Sequence, residues 1–300
     1  MTNNNGYIIQ TYRRNIEGFA SRLLEYAGLY ALCLETQKTP AIIKHIEDDN
    51  QFIAFNWFND NALPFKLTIQ ETFPNIPIKF KTLEDNTKLQ FETITINNGE
   101  LPCDQHYSLK ELSNKISPQK SYNIHGRFGF CTFWHKYTDK IIELLQFDTT
   151  LLKHCRTLLP YTDKKKVGVC MRYEYKYSSH ASHQVKLTQK YYKEAILQFD
   201  PAKCIFVIFS DMPEHNEVFF KGLPARFETV FLPKLSSSSG LCALSLCDHI
   251  INANSTFSIM ASILCKNPHK QIVCPKYYFN PTTCNFYNCN YYPDTWLPIG

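Results

Sequence analysis

The second half of the chain alternates short, wholly apolar runs with stretches of helical period. Val167-Gly-Val-Cys-Met171 and Cys204-Ile-Phe-Val-Ile-Phe209 carry no polar face, the pattern of strands buried on both sides of a parallel sheet. Phe227 to Phe231, His249 to Ala253 and Gln271 to Cys274 read as three further strands. Between them, residues 185–199 place Val185, Tyr192, Ala195, Ile196 and Phe199 at helical spacing, and residues 241–247 and 256–265 give two more helices. Strands alternating with short helices in this way predict a doubly wound parallel sheet.

The first half opens in the same style. Tyr7-Ile-Ile-Gln-Thr11 reads as a strand, and the helix after Gly18 puts Phe19, Leu23, Tyr26, Ala27, Tyr30 and Leu34 on one face. Pro40 closes that unit and Ala41-Ile-Ile43 is the next strand, so this half begins β-α-β. Residues 51–120 are mixed and rich in Asn, Pro and Phe, which suggests an irregular peripheral insertion. A helix over residues 136–145 ends the half, and the polar Asp163-Lys-Lys-Lys166 stretch is the candidate hinge. The expected fold class is α/β, with two Rossmann-like lobes facing a cleft, residues 1–160 and 161–300. A chain of 300 residues suits two lobes of ~150 residues each.

Composition narrows the function. Hydrophobic residues at 44% and charged residues at 20% fit a globular chain. Lys plus Arg is 32 against 27 acidic residues, and no basic run exceeds Lys164–Lys166. No nucleic-acid or membrane-surface partner follows from so small and scattered an excess. The longest uncharged stretch, residues 250–265, is too short and too polar to span a bilayer, and the first residues lack a signal-peptide pattern. The chain therefore reads as soluble, and a membrane enters only if an N-terminal anchor is missing from it. Twelve cysteines include no C-x-x-C pair, so no metal site is expected. Cys170, Cys204 and Cys274 fall in strands as buried, inert thiols, while a disulfide among the last few cysteines would fit an oxidising compartment. Walker, kinase and Gly-x-Ser-x-Gly signatures are absent, as is the Asp-x-Asp of metal-dependent transferases.

Four places carry candidate chemistry. Arg172 directly follows the strand 167–171, where its donor fork can grip a phosphate or pair with Glu174. Asn254-Ser-Thr-Phe-Ser258 follows the strand 249–253 and opens a helix, whose first amides can bind an anion or take only the caps Ser255 and Thr256. The same Asn254-Ser-Thr is a glycosylation sequon by pattern, but a cleft position argues against a glycan there. Ser210-Asp211 ends the strand 204–209 and can meet a ribose or base, or cap the next helix. Gly18-Phe-Ala-Ser-Arg22 lies between the first strand and first helix, in the position of a phosphate or acceptor loop that includes Ser21 and Arg22.

Together these segments resemble glycosyltransferase family 11, the α-1,2-fucosyltransferases. The run Leu244-Ser-Leu-Cys-Asp-His-Ile-Ile-Asn-Ala-Asn-Ser-Thr-Phe-Ser258, then Asn267-Pro268 and Val273-Cys-Pro-Lys276, carries the clearest likeness. Phe209-Ser-Asp211, Gly126-Arg-Phe-Gly-Phe130, Gly18 to Ala27 and Tyr292-Pro-Asp-Thr-Trp296 match in order over nearly the whole chain. The resemblance implies a GT-B fold and an inverting transferase that uses GDP-fucose, with no metal and no cofactor. The second lobe would hold the donor, with Arg172 on its diphosphate and Ser210, Asp211, Asn254, Ser255, Thr256, Phe257 and Ser258 lining the nucleotide. A glycan acceptor would face Gly18, Ser21 and Arg22. The family's H-x-R-R-G-D reads Cys170-Met-Arg-Tyr-Glu174 here, and an acidic residue before the L-x-x-M-S run appears as Gly240. These departures leave two alternatives: an inactive glycan- or nucleotide-binding relative, or a transferase for another nucleotide sugar. The family's animal members imply a Golgi location behind an N-terminal anchor, and its bacterial members a cytoplasmic one.

Overall fold

The computed structural model describes residues 6–10, 19–43, 69–76, 80–81, 91–96, 108–125, 129–172, 185–216, 220, 224, 226–281 and 291–300. The chain divides into two units. Met1–Asn59, Leu67–Gln146 and Phe286–Tyr291 form the first; Asp60–Lys66, Phe147–Asn285 and Tyr292–Gly300 form the second.

In the first unit the strands are β1 (Tyr7–Gln10), β2 (Thr39–Ile43), β3 (Phe80–Lys81), β4 (Phe91–Thr95) and β5 (Ser121–His125). They make a parallel five-stranded sheet in the order β3-β2-β1-β5-β4. Helix α1 (Phe19–Thr36) follows β1 and is buried on almost every side, with Leu23, Leu24, Ala27, Leu29 and Leu32 in the core. Pro40 does not end the unit; it sits inside β2 opposite Ile8. Within 51–120, the described residues belong to this unit's sheet and core. They supply β3 and β4, the helices α2 (Ile69–Thr72) and α3 (Leu109–Ser113), and the buried Phe73, Ile76, Ile96, Leu109 and Leu112. Strand β4 hid from the pattern because it is a sheet edge, Phe-Glu-Thr-Ile-Thr, with little buried on either face. The helix expected over 136–145 is broken into α4 (Cys131–Trp134), a 3-10 turn at His135–Tyr137, and α5 (Thr138–Leu144).

The second unit begins with α6 (Thr149–Leu158), whose first amides on Thr150 and Leu151 donate to the Asp148 carboxylate. Its strands are β6 (Lys165–Met171), β7 (Cys204–Ser210), β8 (Thr229–Phe231), β9 (His249–Ile251), β10 (Ile272–Pro275) and β11 (Leu297–Ile299). Its helices are α7 (Gln189–Ile196), α8 (Ser237–Ser245) and α9 (Thr256–Leu264). The six strands run parallel in the order β11-β10-β9-β6-β7-β8. Counted from β6, that is the 3-2-1-4-5-6 order of dinucleotide-binding folds, and the order reverses between β6 and β9. Lys165 and Lys166 are the first residues of β6, so the lysine run is strand rather than hinge. The division falls at Phe147 because α6 packs on α8.

The core of this unit gathers Val167, Val169, Phe206, Ile208, Ile251 and Val273 from the strands with Tyr191, Tyr192, Ala195 and Ile196 from α7. Each of the Val, Ile and Phe side chains among them contributes about 1.5–3 kcal/mol by leaving water. All nine described cysteines are buried free thiols; Cys103, Cys284 and Cys289 lie outside the described residues. Among the described residues, no helix is long and apolar enough to cross a membrane.

The surroundings of His249, at the start of β9, disfavour its protonated form. Its Nδ1 accepts the Gln271 amide at 2.9 Å, and Phe199 lies 5.5 Å away. Burial lowers its pKa, with Lys165 adding to the shift and Asp248 opposing it. Below ~6.5 the unfolded chain binds a proton here that the folded chain resists. Stability from this group is therefore present above that pH and lost as pH falls. Urea midpoints of the wild type should drop between pH 7.5 and 5, and His249→Gln should flatten that dependence.

Candidate functional site

The ladder between β6 and β7 runs in register as far as Met171 opposite Ser210. One residue further, it delivers Arg172 and Asp211 side by side at the carboxyl edge of the sheet. Arg172 Nε lies 3.7 Å from Asp211 Oδ2, an ion pair longer than a hydrogen bond. The Asp211 side chain is 9% exposed and that of Arg172 34%, so the carboxylate anchors the guanidinium from its more buried side. On the other flank Val169 pairs with Ile251, and the same register carries Ala253 and Asn254 to the level of Met171 and Arg172. This is the switch point of the strand order, the crevice where open α/β sheets bind their ligands.

Cys170 lies beneath the pair, and its thiol touches the Ala253 backbone and the Ser258 hydroxyl. Burial first, then the negative charge of Asp211, push the thiol up to about 12, against the pull of Arg172. It stays protonated and brings no charge to the site. Two tyrosines of α7 brace the same edge. The Tyr191 hydroxyl donates to the Asn252 carbonyl at 2.6 Å, and that of Tyr192 to the Cys170 carbonyl at 3.1 Å. Their rings meet edge to face at 4.9 Å. Helical spacing alone marks Tyr192 as a core residue and does not show the brace. Its one signal was the Tyr-Tyr pair on a helix packed against the sheet.

The segment after β9 has divided duties. Ser255 caps α9, its hydroxyl accepting the Phe257 amide at 3.3 Å, and Ser258 donates to the carbonyls of Ala253 and Ser255, both at 3.0 Å. The Asn254 amide donates to the Val185 carbonyl and, at 3.4 Å, to that of Tyr278. Asn254 is fully buried and serves to hold two segments together, which also closes the sequon to a glycan. Ser210 accepts the Met212 amide at 3.0 Å. Thr256 and Phe257 are half-buried. A Cβ at Gly240 would stand 3.2 Å from Phe257 Cζ, so the first turns of α8 and α9 are in contact. Ser255→Ala is expected to cost ~1 kcal/mol of stability through loss of the cap, read from a denaturant midpoint, with Ser255→Asn largely restoring it.

Gly18 lies outside the described residues. Ser21 and Arg22 are in the first turn of α1 rather than in a loop, and Arg22 is buried; both belong to the first unit, whereas the Arg172 cluster lies wholly within the second. Among the described residues, no group of three His, Cys, Asp or Glu side chains is placed to hold a metal ion.

No protein-family model matches the chain, and no curated protein matches its sequence. Solved structures do match. POFUT1 in complex with GDP-fucose aligns with a TM-score of 0.53 at 12% identity, over 91% of this chain and 99% of that one. NodZ α-1,6-fucosyltransferase co-crystallised with GDP gives 0.51 at 14%, over 87% and 92%. Fucosyltransferase NodZ from Bradyrhizobium gives 0.50 at 14%, over 87% and 93%. The chain shares its overall fold with these solved structures. At these identities the likeness is one of fold, and it agrees with the α/β class expected from the strand pattern and the GT-B type that the resemblance implies.

Proposed function

We propose that the chain is a glycosyltransferase resembling family 11, binding GDP-fucose at the carboxyl edge of the second sheet. It transfers fucose, with inversion and without a metal, to a galactose-type hydroxyl on a glycan. The observation that carries this reading is Arg172, anchored by Asp211 at the switch point of a 3-2-1-4-5-6 sheet. The fold shared with proteins solved with GDP-fucose and GDP supports it.

As the glycosidic bond to the diphosphate breaks, negative charge gathers on the leaving oxygen. A cation and a helix start aimed there stabilise that charge more than they stabilise the bound donor, which is what lowers the barrier. Arg172 is the cation and the positive end of α9 the helix start. Thr256 and Phe257 sit beside the nucleotide. Asp211 acts through Arg172 rather than on the ribose, and Asn254, Ser255 and Ser258 keep the segment in place. Ser21 and Arg22 serve the acceptor side.

The nucleotide test is a thermal-shift series with GDP, UDP and CDP. A true ligand at 100 times its Kd stabilises the fold by ~2.7 kcal/mol, so GDP alone should raise the melting temperature. A shift with UDP or CDP instead would point to another nucleotide sugar, and no shift with any of them would overturn the donor site. A second reading is favoured by Cys170, a neutral buried thiol where the family has a histidine: a relative that binds the nucleotide without turnover. Release of GDP from GDP-fucose with any glycan acceptor, lost in Arg172→Ala, would exclude it.

A further inference from the structure

Two backbone carbonyls at the switch point are held by helix α7 rather than by the sheet. The ladder between β6 and β9 ends at Val169 opposite Ile251. Beyond it the strands part. β6 stays paired with β7 as far as Met171, while the Asn252 backbone amide donates to the Val273 carbonyl of β10 at 2.8 Å. One strand end then leads to Arg172 and the other to the start of α9, with no rung of the described ladder between them. Tyr192 donates to the Cys170 carbonyl, two residues before Arg172, at 3.1 Å. Tyr191 donates to the Asn252 carbonyl, two residues before Asn254, at 2.6 Å. The two phenols are neighbours on one helix, both buried and packed edge to face at 4.9 Å, so they hold the carbonyls at a set separation. The grip reaches α9 itself, because Asn252 Oδ1 accepts the Ser262 hydroxyl of that helix at 3.1 Å.

We infer that Tyr191 and Tyr192 are positioning residues, which set the gap between Arg172 and the start of α9 so that both meet the outer phosphate of a nucleoside diphosphate. The inference rests on the donor site proposed above and adds what keeps its two halves aligned. A cation and a helix start stabilise one developing charge only if both face the same oxygens. Displacing such a group by about 1 Å can cost on the order of 100-fold. The hydroxyls carry this role rather than the rings. The rings belong to the core around Val169, Phe206 and Ile251, and a Tyr→Phe change leaves that packing in place. A nucleoside monophosphate lacks the phosphate on which the two groups converge, so its binding is indifferent to the gap.

The test compares GDP and GMP affinities by calorimetry in the wild type, Tyr191→Phe, Tyr192→Phe and the double variant, each first checked for a cooperative urea transition. The double variant should bind GDP about 10-fold more weakly than the wild type, with the single variants in between and GMP affinity unchanged throughout. The single variants carry the test if the double variant does not fold. In an Arg172→Lys background, where the guanidinium is already gone, Tyr192→Phe should weaken GDP by a smaller factor than it does in the wild type. Unchanged GDP affinity in the folded variants would overturn the proposal. So would equal losses of GDP and GMP, which mark a general loosening of the fold, and so would an undiminished effect in the Arg172→Lys background. A wild type that binds no GDP fails differently: the donor site itself is then wrong, and the positioning role falls with it.

Discussion

Arg172→Ala should abolish measurable GDP binding in calorimetry and cut GDP-fucose turnover by about 100-fold or more, the loss typical of removing one charge-stabilising donor from a reacting site. The truncation acts twice. It removes the cation, and it leaves Asp211, a carboxylate only 9% exposed, without the guanidinium that faced it. Arg172→Lys separates the two effects, since it restores the charge without the planar fork. Lysine should recover stability more than affinity. Asp211→Asn keeps the cation and removes its anchor, so GDP affinity should fall by a smaller factor than in Arg172→Ala. An unchanged GDP affinity in Arg172→Ala would sink the assignment of the donor site.

Gly168→Ala is expected to destabilise the second unit by ~2 kcal/mol, measured as a shift of the denaturant midpoint at constant slope. Gly168 sits mid-strand in β6, and a Cβ there would stand 2.5 Å from Leu244 Cδ1 and 3.0 Å from Cys247 Sγ. Leu244 is fully buried and Cys247 nearly so, which leaves neither room to retreat. The glycine lets α8 approach the central strand, and the same strand ends on Arg172. A loss of GDP affinity alongside the stability change would show that the helix-strand contact sets the height of the guanidinium.

The second unit was largely legible because β6, β7, β9 and β10 carry nearly continuous apolar runs whose burial leaves a plain mark. Strand β11 was not, since Leu297-Pro-Ile is mostly exposed at the sheet edge. Helix α6 was missed because Thr149, Thr150, Lys153, His154 and Arg156 dilute its short apolar face, leaving the Asp148 cap as the main signal. In the first unit the Asn-rich segments concealed sheet strands whose partners lie far along the chain. At the site, strand ends marked Arg172, Asp211 and Ser255 from sequence. What they do depends on register: the Arg172–Asp211 pair joins two strand ends brought together only by the β6–β7 ladder. The duties of Asn254 and the tyrosine brace likewise rest on carbonyls of distant segments.

The strand order also sets the timing of assembly. Every described ladder is parallel, so no hairpin can nucleate either sheet, and β6 meets β9 only after the whole stretch through α8 has been threaded. Parallel, non-local pairing makes for slow folding with populated intermediates. Strands β6, β7 and β8 can form a partial sheet first, and during that interval the apolar Val167–Met171 stretch of β6 presents an unpaired edge on the side that β9 will cover. Such an edge is a template for another chain, so refolding yield should depend steeply on protein concentration.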